Sequence, residues 1–234
     1  MATEFRHEYK YICSASQLTV QEKRLERLLS PDKHAGARGT YLIRSVYFDT
    51  HDNACYYENE DGVDPRSKYR IRIYNCSDKR ITLERKVKCR GMTHKDSGRL
   101  SREMCEMMLR GKIPDVTDDM SPALANMLTD MKLKAMRPAV IVQYERRPFT
   151  HSAGNVRVTL DFRLSSSQSF DRFFDPEMPA RQILANGSGV LEVKWDQFIP
   201  SYIKDQLQTE GLQWTSFSKY YLCRKYNNHG GALI

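Results

Sequence analysis

The sequence predicts an α+β fold in which roughly eight β-strands carry one charged and one apolar face and the helices between them carry a single apolar stripe. Three observations lead there. The stretch Ser67–Tyr74 alternates with period 2, with Lys68, Arg70, Arg72 and Tyr74 on one face and Tyr69, Ile71 and Ile73 on the other. Other stretches along the chain repeat that pattern. The third is charge: the 234 residues hold 37 Lys and Arg against 29 Asp and Glu, for a net charge of +8. Such a surplus points to an anionic partner. Like charges spaced about 7 Å along one strand face repel unless an anion lies over them.

The elements follow in order. Residues 4–12 read as a strand with Arg6, Glu8 and Lys10 on one face. Ser16 is placed to cap a helix running to Leu29, and Pro31 ends it. Residues 34–39 form a loop without a phosphate-loop signature. Residues 41–48 make the second strand, where Arg44 sits among Leu42, Val46 and Phe48; an arginine on an apolar face is costly unless it is paired or reaches a ligand. Asp52 caps a short helical segment through Tyr57, and residues 60–65 are turn chemistry. After the Ser67–Tyr74 strand, residues 75–78 turn the chain back into a strand over residues 80–88, with Thr82, Glu84, Lys86 and Lys88 on its polar face. Residues 90–99 read as a cation-rich polar loop.

Helical stripes return over residues 101–109 and 121–136, marked by methionine and leucine. Strands follow over residues 139–149, 156–163 and 190–195, and weakly over 165–174. In the first, Tyr144 and Arg146 share a side with Val140 and Val142; in the second, Arg157, Thr159, Asp161 and Arg163 share a face; in the third, Glu192 and Lys194 do. Helices begin at Pro200 and near Phe217, the latter with Thr215 or Ser216 as cap, and the tail over 226–234 is expected to fray.

Composition excludes some classes. With 40% hydrophobic and 28% charged residues the chain is globular and not disordered. Six cysteines show no CxxC or other metal-type spacing, and no secretory leader is read, so free thiols in a cytoplasmic, reducing compartment are expected. No apolar run approaches the roughly 20 residues of a membrane span. No repeat or long linker divides the chain, so a single domain over 1–234 is expected. A sheet with one apolar face and helices to cover it makes either an open sandwich or a closed barrel. In the barrel, the charged faces turn inward around a polyanion. Glu192 among those cations suits either a divalent metal bridging phosphate oxygens or a structural ion pair.

Eight pieces, in order, carry a resemblance: Arg6–Tyr11, Arg44–Thr50, Arg66–Asn75, Leu83–Lys86, Tyr144–Arg147, Val156–Asp161, Leu191–Lys194 and Ser218–Tyr220. Together they resemble the polyphosphate-polymerase domain of the vacuolar transporter chaperone family, a branch of the triphosphate tunnel metalloenzymes. The resemblance implies an eight-stranded antiparallel β tunnel with a polar, basic lumen and helices outside. It implies transfer of the terminal phosphoryl group of ATP to a growing polyphosphate chain, with Mn²⁺ or Mg²⁺. By that resemblance Lys10, Arg70, Arg72, Lys86, Arg146 and Lys219 hold the reacting phosphates. Tyr144 and Ser218 add neutral hydrogen bonds, and Lys95, Arg44 and Arg157 are further lumen cations. Glu192 binds the metal with help from Glu8. The partners implied are ATP, inorganic polyphosphate and a membrane-associated protein; nucleic acid is not expected. A tunnel triphosphatase and a non-catalytic polyphosphate- or RNA-binding module are the competing readings. Most tyrosines are expected on apolar faces or in helices, which speaks against base stacking.

Overall fold

In the computed structural model, which describes residues 7–36, 38–216 and 218–228, the strands form one curled antiparallel sheet. The chain begins with β1 (His7–Cys13), α1 (Ala15–Leu28), β2 (Ser30–Pro31), β3 (Tyr41–Asp49), α2 (Ala54–Glu60), β4 (Arg66–Tyr74), β5 (Ser77–Cys89) and β6 (Met92–Leu100). It continues through α3 (Arg102–Leu109), α4 (Pro122–Leu133), β7 (Arg137–His151), β8 (Val156–Ser167), β9 (Arg181–Gln182) and β10 (Gly189–Trp195). Then come α5 (Ser201–Leu207), β11 (Gln213–Trp214) and α6 (Lys219–Asn228). Eight of these strands have seven residues or more, matching the expected tunnel. The order across the sheet is β11-β1-β10-β8-β7-β3-β4-β5-β6.

Period-2 alternation positions everything that matters for the site. Tyr69, Ile71 and Ile73 of β4 are fully buried outward, against Met108, Met127 and Met131 of α3 and α4. Each such side chain contributes about 1.5–3 kcal/mol by leaving water. A second apolar layer, with Leu18 and Leu25 of α1 and Ile203 of α5, covers Val158 of β8 and Leu191 of β10. With both outer faces covered by helices, the polar faces of all these strands turn toward one interior. The two ends of the curl, β1 and β5–β6, approach each other. Among the described residues no ladder joins them; Lys86 Nζ of β5 instead meets Glu8 Oε2 of β1 at 2.7 Å.

Several local expectations change. Residues 90–99 are not a loop: Arg90 and Gly91 take positive φ (48° and 79°) as a two-residue hairpin turn, and β6 returns along β5 with Lys95 opposite Lys86. Its polar composition hid an edge strand. Gly98 is required there, because a Cβ would lie 2.7 Å from Leu124 Cβ of α4. Helix α1 is capped by Ser14 and not Ser16: Ser14 Oγ accepts from Gln17 N, and Gln17 Oε1 accepts from Ser14 N at 2.8 Å. Only Ser14 has a glutamine three residues on, which completes the reciprocal box. Asn53, left-handed at φ 59°, replaces Asp52 before α2. The weak strand over 165–174 resolves into the end of β8 and a 3₁₀ turn at Phe170–Arg172. Residues 226–228 belong to α6 and not to a frayed tail; residues 229–234 lie outside the described residues. All six cysteines are free thiols, and among the described residues no helix is long and apolar enough to cross a membrane.

Candidate functional site

The interior opens into a cavity of about 420 Å³. Its wall is drawn from facing strands: Arg70 and Arg72 from β4, Glu84 and Lys86 from β5, His94 and Lys95 from β6, Arg146 from β7, Arg157 from β8, Lys194 from β10 and Glu8 from β1. Tyr41 and Tyr74 also line it. Residues one or two positions apart in one strand, and more than a hundred apart in the chain, therefore converge on a single volume.

Ion pairs organise the wall. Arg146 is gripped bidentately by Asp161, with Nε–Oδ1 and Nη2–Oδ2 both 2.7 Å, and Lys219 Nζ lies 2.7 Å from Asp161 Oδ2. Glu192 is next, with Oε2 at 3.4 Å from Arg146 Nη2 and 4.0 Å from Lys219 Nζ, and it also pairs with Lys194. Across the cavity, Glu84 Oε2 takes Arg70 Nε at 2.7 Å and Nη2 at 2.6 Å, and Glu84 Oε1 takes Lys95 Nζ at 3.0 Å. Glu8 spans Lys10 (3.1 Å) and Lys86 (2.7 Å) with its two oxygens. Phenols fill the remaining guanidinium positions: Arg70 donates to Tyr47 Oη, Arg72 to Tyr144 Oη and Arg157 to Tyr41 Oη.

The field inside favours negative charge. Burial opposes ionisation of Glu192, but Lys194, Lys10 and Arg146 overcome it and hold its pKa well below the usual carboxylate range. Burial likewise opposes ionisation of Asp161, and Arg146 and Lys219 reverse that. Burial raises the Tyr144 phenol, yet Arg146 and Arg72 pull it below its ordinary value. Lysines that lack such compensation move the other way. Burial, with Lys10 and Lys194 against the favourable Glu8, pushes Lys86 down to about 8. Burial and the neighbouring Arg66, Lys86 and Lys10 push Lys68 down to about 7.

Of the residues named from sequence, Glu8, Arg70, Arg72, Lys86, Lys95, Arg146 and Arg157 line the cavity itself. Lys10, Tyr144, Glu192 and Lys219 join it through the contacts above. Ser218, at the start of α6, accepts from Tyr221 N and from Lys68 Nζ. Arg44 is the exception. It is fully buried on the opposite face of β3, bonded to Gln143 Oε1 (2.6 Å) and to the carbonyls of Phe173 (2.7 Å) and Asp175 (2.8 Å). Hydrogen bonds from Nε and Nη1 offset much of the cost of an arginine among Leu42, Val46 and Phe48, while Nη2 is buried without a hydrogen-bond partner among the described residues. Lys95 stands on a strand and not on a loop.

Sequence reasoning passed over Asp161, Glu84, Lys194 and Lys68 as site residues, although alternation placed each on a polar face. The signal that finds Asp161 is its register opposite Arg146, which is unknown until β7 and β8 are paired. Tyr41 and Tyr47 also turn to the interior side, against the expectation that most tyrosines keep to apolar faces or helices, while Tyr74 and Tyr144 lie on the interior side as expected.

A divalent ion fits the donor chemistry. Glu8 and Glu192 are neighbouring carboxylates, each acting on the ionisation of the other. Among the described residues there is no cluster of three or more protein ligands. Mg²⁺-like ions are held by one or two carboxylates and complete their shell with water and substrate phosphate oxygens, which is the set this wall provides.

The comparisons with known proteins agree with this geometry. No curated protein matches the chain. Among solved structures, a candidate adenylate cyclase from Bacillus halodurans is similar at 15% identity and a TM-score of 0.56, covering 98% of this chain and 99% of its own. A candidate adenylyl cyclase from Hippeastrum, described as having a dominant triphosphatase activity, is similar at 14% identity and a TM-score of 0.59, covering 98% and 97%. The PH1819 protein of Pyrococcus horikoshii is similar at 9% identity and a TM-score of 0.51, covering 94% and 98%. These likenesses are of fold alone. A family model, the VTC domain, matches residues 5–227, and the chain belongs to the VTC domain family.

Proposed function

We propose that this protein is a metal-dependent polyphosphate polymerase that moves the terminal phosphoryl group of ATP onto a growing inorganic polyphosphate chain. The observation that carries the reading is the convergence of Arg70, Arg72, Lys86, Arg146 and Lys219 around one interior that also holds the neighbouring carboxylates Glu8 and Glu192. Phosphoryl transfer through a loose transition state asks a protein for alignment and charge neutralisation, not for a nucleophile. Arg70, Arg72 and Arg146 would grip nonbridging oxygens, and Lys86 and Lys219 would act as point charges. A terminal oxygen of the acceptor chain would attack the γ-phosphorus in line, the bond to the β-phosphate oxygen would break, and ADP would leave. Glu84 and Asp161 would fix the aim of Arg70 and Arg146. Held by Glu8 and Glu192, Mn²⁺ or Mg²⁺ would neutralise charge on phosphate oxygens.

The test is incubation of the protein with ATP and Mn²⁺, followed by gel separation of the products. Long chains are expected. ADP and inorganic phosphate without chains would replace the polymerase by a triphosphatase, the reading favoured by the likeness to the Hippeastrum structure. An acceptor phosphate and a water molecule meet the same cationic wall, so product analysis decides between them.

A further inference from the structure

The cations of the interior differ in one respect that the polymerase reading does not use. Arg70, Lys95, Arg146, Lys219, Lys194, Lys86 and Lys10 each have a carboxylate within 4 Å. Arg72, already used in that reading, does not, among the described residues, and neither does Lys68. It lies two positions before Arg70 on β4 and directly opposite Lys86 on β5. Its ammonium donates to Asn59 Oδ1 of α2 and to Ser218 Oγ at 3.1 Å, and rests 5.0 Å from the centre of the Tyr220 ring of α6. All three partners are neutral. An ammonium has three protons to donate, and two are used.

We propose that Lys68, held by Asn59 and Ser218, is a further phosphate-binding group that takes an oxygen of a non-transferred phosphate of polyphosphate, at the α2–α6 end of the tunnel. The site rests on the reading of the interior as a polyphosphate site, and extends it beyond the carboxylate-paired centre. The charge balance supports it. A half-buried ammonium facing other cations is held at a cost that an anion removes. The groups facing Lys68 are Arg66 on its own strand, Lys86 on β5, Lys10 on β1, the thiol of Cys55 on α2 and the phenol of Tyr220 on α6. Burial raises both Cys55 and Tyr220 far above neutrality, so neither supplies negative charge. The free protein therefore keeps a large share of Lys68 as the neutral amine above about pH 7, and a phosphate brought beside it restores the proton. Binding at this site takes up a proton from solution when the pH lies above that value.

The experiment is isothermal titration of the full chain with inorganic tripolyphosphate, without metal, at pH 6.0 and 8.5, for wild type, K68M and K68R. At pH 6.0, where Lys68 is charged, K68M is expected to bind about tenfold more weakly, the size of one charge-assisted hydrogen bond. At pH 8.5 that deficit shrinks, because wild type must first take up a proton, while K68R stays charged and binds at least as tightly as wild type at both pH values. Titration of the ligand acts on all three proteins alike, and K68R, which keeps a charge beside Lys86 and Lys10, is the control for the titration of those lysines. Repeating the pH 8.5 titration in buffers of different ionisation enthalpy should show less proton uptake for K68M than for wild type. Equal affinities for wild type and K68M at both pH values, or equal proton uptake, would overturn the assignment. A wild type that binds tripolyphosphate as described yet makes no polymer would overturn the polymerase reading and leave the Lys68 site standing. A wild type that binds no tripolyphosphate would overturn both.

Discussion

Lys86 on β5 and Glu8 on β1 are 78 residues apart in the chain, and their side chains meet at 2.7 Å across a seam of the sheet that, among the described residues, no backbone ladder closes. The seam is thus held by side chains. Lys86 retains about a third of its exposure, so solvent screens the pair and its coupling is modest. A double-mutant cycle with E8Q and K86M, measured by chemical denaturation, should give a coupling of about 1 kcal/mol or less. The pH dependence has a definite sign. The folded chain releases the Lys86 proton near pH 8, and the unfolded chain holds it to about pH 10.4. Stability contributed by this group therefore grows as the pH rises from about 8 toward 10.4, and is lost as it falls back through 8. K86M should flatten that part of the stability–pH curve.

Glu192 carries the metal part of the proposal. E192Q keeps the shape of the side chain and removes its charge. Transfer from ATP with Mn²⁺ should fall by about 100-fold or more, the scale of losing one electrostatic stabiliser of a transition state. Tripolyphosphate binding without metal should hold or tighten, because a negative charge has left a cationic wall. Parallel kinetics and titration check the split; retention of full activity would remove Glu192 from the chemistry.

Asp161 has a different part, since its carboxylate is spent on Arg146 and Lys219. D161N leaves Arg146 and Lys219 with the more distant Glu192 as their shared carboxylate. Breaking such a buried set costs about 3 kcal/mol, readable as a drop in the denaturation midpoint at neutral pH. Saturating tripolyphosphate should return part of that loss, because an anion can take the vacated place between Arg146 and Lys219. A midpoint unchanged by the substitution would mean that the pairing contributes nothing.

Arg44 and Arg72 face opposite sides of the sheet and should fail differently. R44M strands Gln143 and two carbonyls in a dry site, and should cost about 3 kcal/mol of stability with tripolyphosphate affinity of the folded protein unchanged. R72M, which removes a cation bonded among the described residues to Ser45 and Tyr144, should weaken tripolyphosphate about tenfold or more with a small effect on stability. Denaturation and titration of the two variants side by side make the comparison.

The sequence by itself determined the faces of the strands. In an extended backbone neighbouring side chains point to opposite sides, so the burial of Tyr69, Ile71 and Ile73 and the inward turn of Arg70 and Arg72 follow from local alternation alone. It also marked Arg44 as anomalous, because alternation put it on the apolar side. What alternation leaves open is which strands lie beside one another. Only the tertiary structure decided that residues 90–99 complete an edge hairpin, since pairing with β5 outweighs their weak strand propensity. Only the fold brought Asp161 against Arg146 and Lys219, Glu8 against Lys86, and the Lys68 ammonium against α2 and α6. Those are long-range contacts, set by the curl of the sheet and the docking of helices on it, and no local pattern in the chain encodes them.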